Sequence, residues 1–263
     1  MLFFGSDVGV RSGDDVLLEA ALWRKVCAEY FGSLLLAAIV IGSGITAQTL
    51  SPHAIGLELL ENAAATGVGL YVLIVTFGPI SGAHFNPVIS FVDALVGGIS
   101  WRAAGSYLVS QVAGCVSGAV LANLMFSRAA VTLSTDHRGS LAHGLSEVVA
   151  TAGLVLVIFA LAETHRSALA PAAVGSYIAC AYFFTSSTSF ANPAIVVGRM
   201  FSNSFAGIAP ASAPLFVGSE VIGGMLAFGL VKMLYGGISS GDAATVIVVH
   251  DARDQESRPH DPF

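Results

Sequence analysis

Two dipeptides constrain this chain more than anything else in it. Asn86-Pro87 and Asn192-Pro193 each head an apolar stretch, from Asn86 to about Val96 and from Asn192 to about Phe201. Asn is a strong N-cap and Pro is favoured at the first helical position, so each dipeptide predicts the start of a helix. About ten residues at about 1.5 Å per residue give about 15 Å, half the thickness of a bilayer's hydrocarbon core. A single Asn-Pro more often marks a kink or a surface turn. Two, each heading a half-length apolar segment, predict a pair of re-entrant half-helices.

The remaining composition supplies the membrane. Of 263 residues 55% are hydrophobic and 11% are charged, with mean hydropathy +0.78, where a soluble domain is about one quarter charged. Six apolar blocks, at about 25–45, 60–79, 103–126, 144–163, 168–185 and 214–235, approach the roughly 20 residues that a spanning helix needs. The fold class expected is therefore an all-α membrane protein. A net charge of −6 with no Lys/Arg run excludes a nucleic-acid partner. Cys27, Cys115 and Cys180 stand singly in apolar stretches, so no disulfide framework, metal site or cofactor is expected. No nucleophile with a base can be assembled from the buried polar residues, which argues against an enzyme.

Asp7, Arg11, Asp14, Asp15 and Glu19 interrupt the N-terminus. Residues 1–23 accordingly read as a polar leader rather than a cleavable signal. A membrane-spanning domain follows over 24–236, and 237–263 reads as a disordered cytoplasmic tail. With the N-terminus inside, Arg24, Lys25, Arg102, Arg166 and Lys232 fall on the cytoplasmic side and Arg128 and Arg138 in outer loops. The positive-inside rule favours that orientation, with both termini cytoplasmic.

The halves 24–126 and 144–236 repeat each other. Ala28-Glu29 opens the first span as Ser146-Glu147 opens the fourth, and Gln111 to Gly114 matches Glu220 to Gly223. Successive copies of three spans must be inverted, so the broken elements enter from opposite faces and their N-termini meet near the midplane. Non-helical backbone at that depth must be buried in protein or line a wet cavity. If each Asn oxygen caps its own half-helix, its NH₂ is left to donate into the cavity. Two helix N-termini, each carrying about +0.5 charge, then favour neutral hydroxyl compounds over cations and protons. Gly114 with Gly118, and Gly223 with Ala227, have the spacing of close helix crossings.

Residues Ser81-Gly82-Ala83-His84-Phe85-Asn86-Pro87-Val88 and Phe190-Ala191-Asn192-Pro193-Ala194 resemble the paired motifs of the major intrinsic proteins, the aquaporins and aquaglyceroporins. The likeness covers about 24–236. It implies six transmembrane helices plus two half-helices, and a homotetramer in the plasma (inner) membrane. It implies pore motifs at Asn86, Pro87, Val88, Asn192, Pro193 and Ala194, and Glu29, His84 and Glu147 as supports of the half-helix loops, with Gln111 a further polar residue inside a span. Val88 departs from the family's usual Ala. The larger departure is Ile195, where the family commonly has Arg. Aligned on the motifs, the selectivity filter becomes Thr66, Cys180, Ser189 and Ile195, although a part-turn rotation of that helix exchanges Cys180 for Ala181 or Tyr182. Such a filter is wider and more apolar than one with Arg and a large aromatic. It resembles a bacterial branch associated with arsenic resistance, implying water, glycerol-like polyols and neutral trivalent arsenous acid as solutes.

Other readings stay open at this level. Phe183 or Phe190 could refill the space left by Thr66, making an ordinary water or glycerol pore. Inverted repeats also build secondary transporters, in which Glu29 and Glu147 would carry protons. A junctional protein without flux is a third reading. Arg199 is assigned to a salt bridge in the outer vestibule or to a subunit contact ahead of a pore role, Cys180 to packing ahead of thiophilic binding, and Asp93 has no partner.

Overall fold

The computed structural model describes residues 13–236, with side chains from Leu22 onward. Within them lie eight α-helices: α1 Gly13–Leu50, α2 Ile55–Ser81, α3 Pro87–Val96, α4 Trp101–Met125, α5 Leu141–Glu163, α6 Ala170–Phe184, α7 Pro193–Arg199 and α8 Ala213–Tyr235. Six are long and apolar enough to cross a membrane once α6 is joined to the 3₁₀ turn Ser167–Leu169 before it and α8 to the turn at Pro210–Ser212. The other two, α3 and α7, are the expected half-helices.

Helix α1 is longer than the expected first span, running from Gly13 to Leu50, of which Leu22–Leu50 is apolar enough to cross a membrane. The second half of the expected leader is therefore helical backbone, since Glu19, Arg24 and Lys25 are themselves competent helix formers. The expected tail, 237–263, lies outside the described residues.

Local signals set the helix ends. Ser100 caps α4 by accepting from the Ala103 N–H, and Ser140 caps α5 by accepting from His143. Gly82, Gly97 and Gly236 close α2, α3 and α8 in the left-handed conformation, which glycine adopts without a Cβ penalty.

The distribution of polarity is that of a membrane protein. Leu50, Val68, Val72, Val109, Leu145, Ile222 and Leu226 are exposed, while Glu29, Gln111, Glu147, Arg199 and Glu220 are buried. A water-soluble fold would pay heavily for both halves of that arrangement; lipid reverses the first, and internal pairing answers the second.

The repeat is visible in the packing. Helix α1 packs on α4 as α5 packs on α8, and each half-helix reaches across to the other repeat, α3 to α8 and α7 to α4. The expected small-residue crossings carry the close contacts: Gly114 lies against the Tyr30 carbonyl, Gly118 against that of Leu34, and Gly223 against that of Val148. We expect Gly114→Leu to drive α1 and α4 apart and to destabilise the fold by about 3 kcal/mol or more. Thermal unfolding in detergent checks this, with Gly105→Leu, which meets open space, as the variant that leaves the transition unmoved.

Candidate functional site

Both half-helices start as their sequences require. The Asn86 side chain accepts from the Val88 N–H at 3.0 Å, and that of Asn192 accepts from Ala194 at 3.0 Å and Ile195 at 3.3 Å. The amide nitrogens then cross between repeats. Asn86 Nδ2 donates to the Ala191 carbonyl at 2.6 Å, and Asn192 Nδ2 donates to the Phe85 carbonyl at 2.7 Å.

This corrects the expectation of an NH₂ wholly free for the cavity. The residue before each Asn is turned so that its carbonyl faces the opposite repeat, and it takes one of the two amide hydrogens. The second hydrogen remains for the cavity, which both Asn residues line.

The approach to each Asn is built from residues in the left-handed region. Ala83 and Phe85 have φ near 49°, and Ser189 and Ala191 have φ of 49° and 48°. These are the third and first positions before each Asn, and none is Gly. A left-handed non-Gly residue costs about 1–2 kcal/mol, so the turns must be held from outside. Glu29 holds the first by accepting from the N–H groups of His84 (3.0 Å) and Phe85 (2.7 Å) and from the Ser81 hydroxyl (2.6 Å). Glu147 holds the second by accepting from Phe190 (2.9 Å) and Ala191 (2.7 Å). Gln111 donates to Glu29 at 2.8 Å, and its repeat-mate Glu220 accepts from the Asn192 N–H at 2.9 Å.

His84 is tied into the first loop through Ser90, 3.0 Å from its Nδ1, and its Nε2 lies 3.5 Å from Asp93. Asp93, without a partner in the sequence reading, thereby has one.

Past the paired Asn residues runs a narrow cavity of about 70 Å³. Leu36, Val40, Leu70, Ile74, Leu154, Ile158, Val174 and Ile178 supply its apolar walls. Of the four residues aligned to a filter, Thr66, Ser189 and Ile195 line it. Cys180 does not: it is exposed on the outer face of α6. Val174, Ile178 and Tyr182 recur every fourth residue and so share the cavity face, and a position two residues from Ile178 points away from it.

Tyr182 takes the lining position, its hydroxyl 3.2 Å from that of Thr66. Phe183 is 53% exposed and faces outward, whereas Phe190 is buried and lines the cavity. The wall is thus partly aromatic, through residues that the motif alignment did not select.

Arg199 is also placed differently from expectation. It lines the cavity, is 1% exposed, and has no carboxylate partner among the described residues. Its guanidinium lies on the Phe190 ring, 3.4 Å from the centroid, and its Nε donates to the Ala206 carbonyl. Arg138, read from sequence only as an outer-loop charge, stacks toward the same ring at 5.5 Å. It is held by the Gly207 and Phe205 carbonyls and by Asp136. The alternation Val174/Ile178/Tyr182 could have revealed the aromatic; nothing local to Arg138 signals that its loop folds back.

The sequence profile described as Major intrinsic protein matches residues 17–191. The chain belongs to the major intrinsic protein family. This major intrinsic protein is 46% identical over 216 residues to the aquaglyceroporin AqpS of Rhizobium meliloti (strain 1021), covering 82% of the chain and 92% of that relative. It is 29% identical over 172 residues to a glycerol uptake facilitator protein of Streptococcus pneumoniae, covering 60% and 73% respectively. It is 33% identical over 156 residues to the bovine lens fiber major intrinsic protein, covering 57% of each. The X-ray structure of the aquaglyceroporin from Plasmodium falciparum superposes with a TM-score of 0.60 at 18% identity, over 81% of this chain and 96% of that one. That likeness establishes the fold, and the family together with the six apolar helices makes the chain an integral membrane protein.

Proposed function

We propose that this protein is a passive channel for small neutral solutes, conducting water, glycerol-like polyols and trivalent arsenous acid. The observation that carries this reading is the meeting of two half-helix N-termini at one cavity, with an Asn amide from each lining it and apolar side chains opposite. A neutral hydroxyl compound gains hydrogen bonds there while its carbon or arsenic side faces the apolar wall. A cation meets two positive dipole ends and loses its hydration shell.

The similarity to an aquaglyceroporin and to a glycerol uptake facilitator supports the polyol part of the reading. Ile195 directly after the second motif supports a filter wide enough for arsenous acid, because an unbranched cation is replaced there by a shorter aliphatic side chain. Within this proposal Asn86, Pro87, Val88, Asn192, Pro193 and Ala194 form the pore motifs, and Thr66, Ser189, Ile195 and Tyr182 form the constriction. Residues 24–236 form the channel domain, assembled as a homotetramer in the inner membrane with both termini cytoplasmic.

Uptake of arsenous acid into proteoliposomes, read as arsenic retained after rapid filtration, tests the finer substrate assignment. We expect initial rates at least about tenfold above empty vesicles and linear in concentration, as for a pore without a slow conformational step. Rates equal to empty vesicles, from protein that conducts glycerol, would remove arsenous acid from the list.

A further inference from the structure

The loop before the second half-helix is held by one carboxyl more than the first. Three successive N–H groups turn toward two acids on the packed spans α5 and α8: Phe190 and Ala191 donate to the two oxygens of Glu147, at 2.9 and 2.7 Å, and Asn192 donates to Glu220 Oε1 at 2.9 Å. Both acids are fully buried, and their side chains are in hydrogen-bonding contact with each other. Two carboxylates cannot make that contact, because neither has a hydrogen to donate. At membrane depth, touching anions would also suffer both repulsion and lost hydration. Arg199, the cation of α7, acts on the pair only from a distance, with no ion pair to either acid among the described residues. It balances one negative charge and not two.

Two observations locate the proton. Of the four carboxyl oxygens, Glu220 Oε2 alone receives no N–H bond, although it is enclosed. The internal repeat supplies the second observation. In the first half Gln111 stands where Glu220 stands in the second, and its Nε2 donates to the Glu29 carboxylate at 2.8 Å. An ionised Glu220 could not do for Glu147 what Gln111 does for Glu29. A protonated one can, through its O–H.

We propose that Glu220 is held as a neutral carboxylic acid whose O–H donates to the Glu147 carboxylate, and that this acid pair positions Asn192 at the cavity. Neither acid lines the cavity, whereas Asn192 does, so Glu220 is a positioning residue rather than a contact for the solute. Its Oε1 fixes the Asn192 backbone while its O–H fixes Glu147, which in turn holds the left-handed Ala191. Glutamine supplies the same acceptor and a donor in the same place, and leucine supplies neither. The protonation is independent of whether the chain conducts; the effect on flux rests on the channel reading above.

The test uses the full chain in proteoliposomes at neutral pH. The infrared difference between wild type and Glu220→Gln should contain a carboxylic-acid carbonyl stretch, above the amide band, that wild type has and the variant lacks. Loss of a carboxylate band in its place, or an acid band common to both proteins, would overturn the assignment of the proton. Glycerol re-swelling should stay within about threefold of wild type in Glu220→Gln and fall at least about tenfold in assembled Glu220→Leu, which orphans the Asn192 N–H and leaves Glu147 without its donor.

A larger loss in the glutamine variant, or a wild-type rate in the leucine variant, would overturn the positioning role. If leucine prevents assembly, the glutamine rate decides by itself: retention supports the role and loss overturns it. Wild-type vesicles no faster than empty ones for water and glycerol would overturn the channel reading, and the infrared band would still decide where the proton sits.

Discussion

Glu29→Leu is expected to yield protein that does not assemble. The substitution orphans four buried donors at once: the Ser81 hydroxyl, the N–H groups of His84 and Phe85, and the Gln111 amide. Each buried group left without a partner costs about 1–3 kcal/mol, and the sum approaches the whole of a typical domain's stability, about 5–15 kcal/mol. The left-handed Ala83 and Phe85 would relax at the same time, taking the start of α3 with them. Size-exclusion chromatography in mild detergent reads the outcome directly.

Glu29→Gln separates support from proton transport. Its carbonyl oxygen still accepts, so the variant should assemble and conduct glycerol at a substantial fraction of the wild-type rate, with no response to an imposed pH gradient. A folded glutamine variant that has lost a proton-driven, saturable flux would favour a secondary transporter instead.

The second large effect is expected at Thr66. The side chain is small, buried in α2 and bonded along the wall to Tyr182 on the neighbouring α6. Thr66→Trp adds a bulky ring where the cavity is bounded by Ile195 and Phe190. Glycerol flux should fall by at least about tenfold while water flux falls by less than about threefold, because a constriction excludes the larger solute first. Stopped-flow light scattering with and without glycerol gives both rates from one preparation. Equal losses of water and glycerol would mean that the ring blocks or unfolds the path rather than narrowing it.

These expectations draw on features of unequal visibility in the sequence. The half-helices are legible because capping is local chemistry: Asn86-Pro87 and Asn192-Pro193 carry their own helix starts. The inverted repeat is legible because Glu29 and Glu147 hold equivalent turns and therefore stand in equivalent places. The turns themselves are hidden. Ala83, Phe85, Ser189 and Ala191 adopt positive φ without the glycine that would announce it, and the carboxylates that make this tolerable lie more than forty residues away.

Rotation and reach are hidden too. Spacing from the motifs places a filter residue near Cys180, yet two residues on a helix are more than half a turn, enough to exchange an exposed thiol for the Tyr182 ring. Arg199 is seven residues past Asn192, and whether so long a side chain reaches out to a carboxylate or back over Phe190 depends on the ring's position rather than on spacing. Arg138 is positioned by a connector that folds back toward the second half-helix, pairing Ser134 with Met200 and Asp136 with Ala209. Backbone pairings of that kind leave no side-chain pattern to read.

The central claim, a passive pore wide enough for a polyol, is met most directly by re-swelling of proteoliposomes in an inward glycerol gradient, compared with empty liposomes. The account predicts fast re-swelling whose rate rises linearly with the gradient and does not saturate. Re-swelling no faster than that of empty liposomes, from protein shown to be tetrameric, would contradict it.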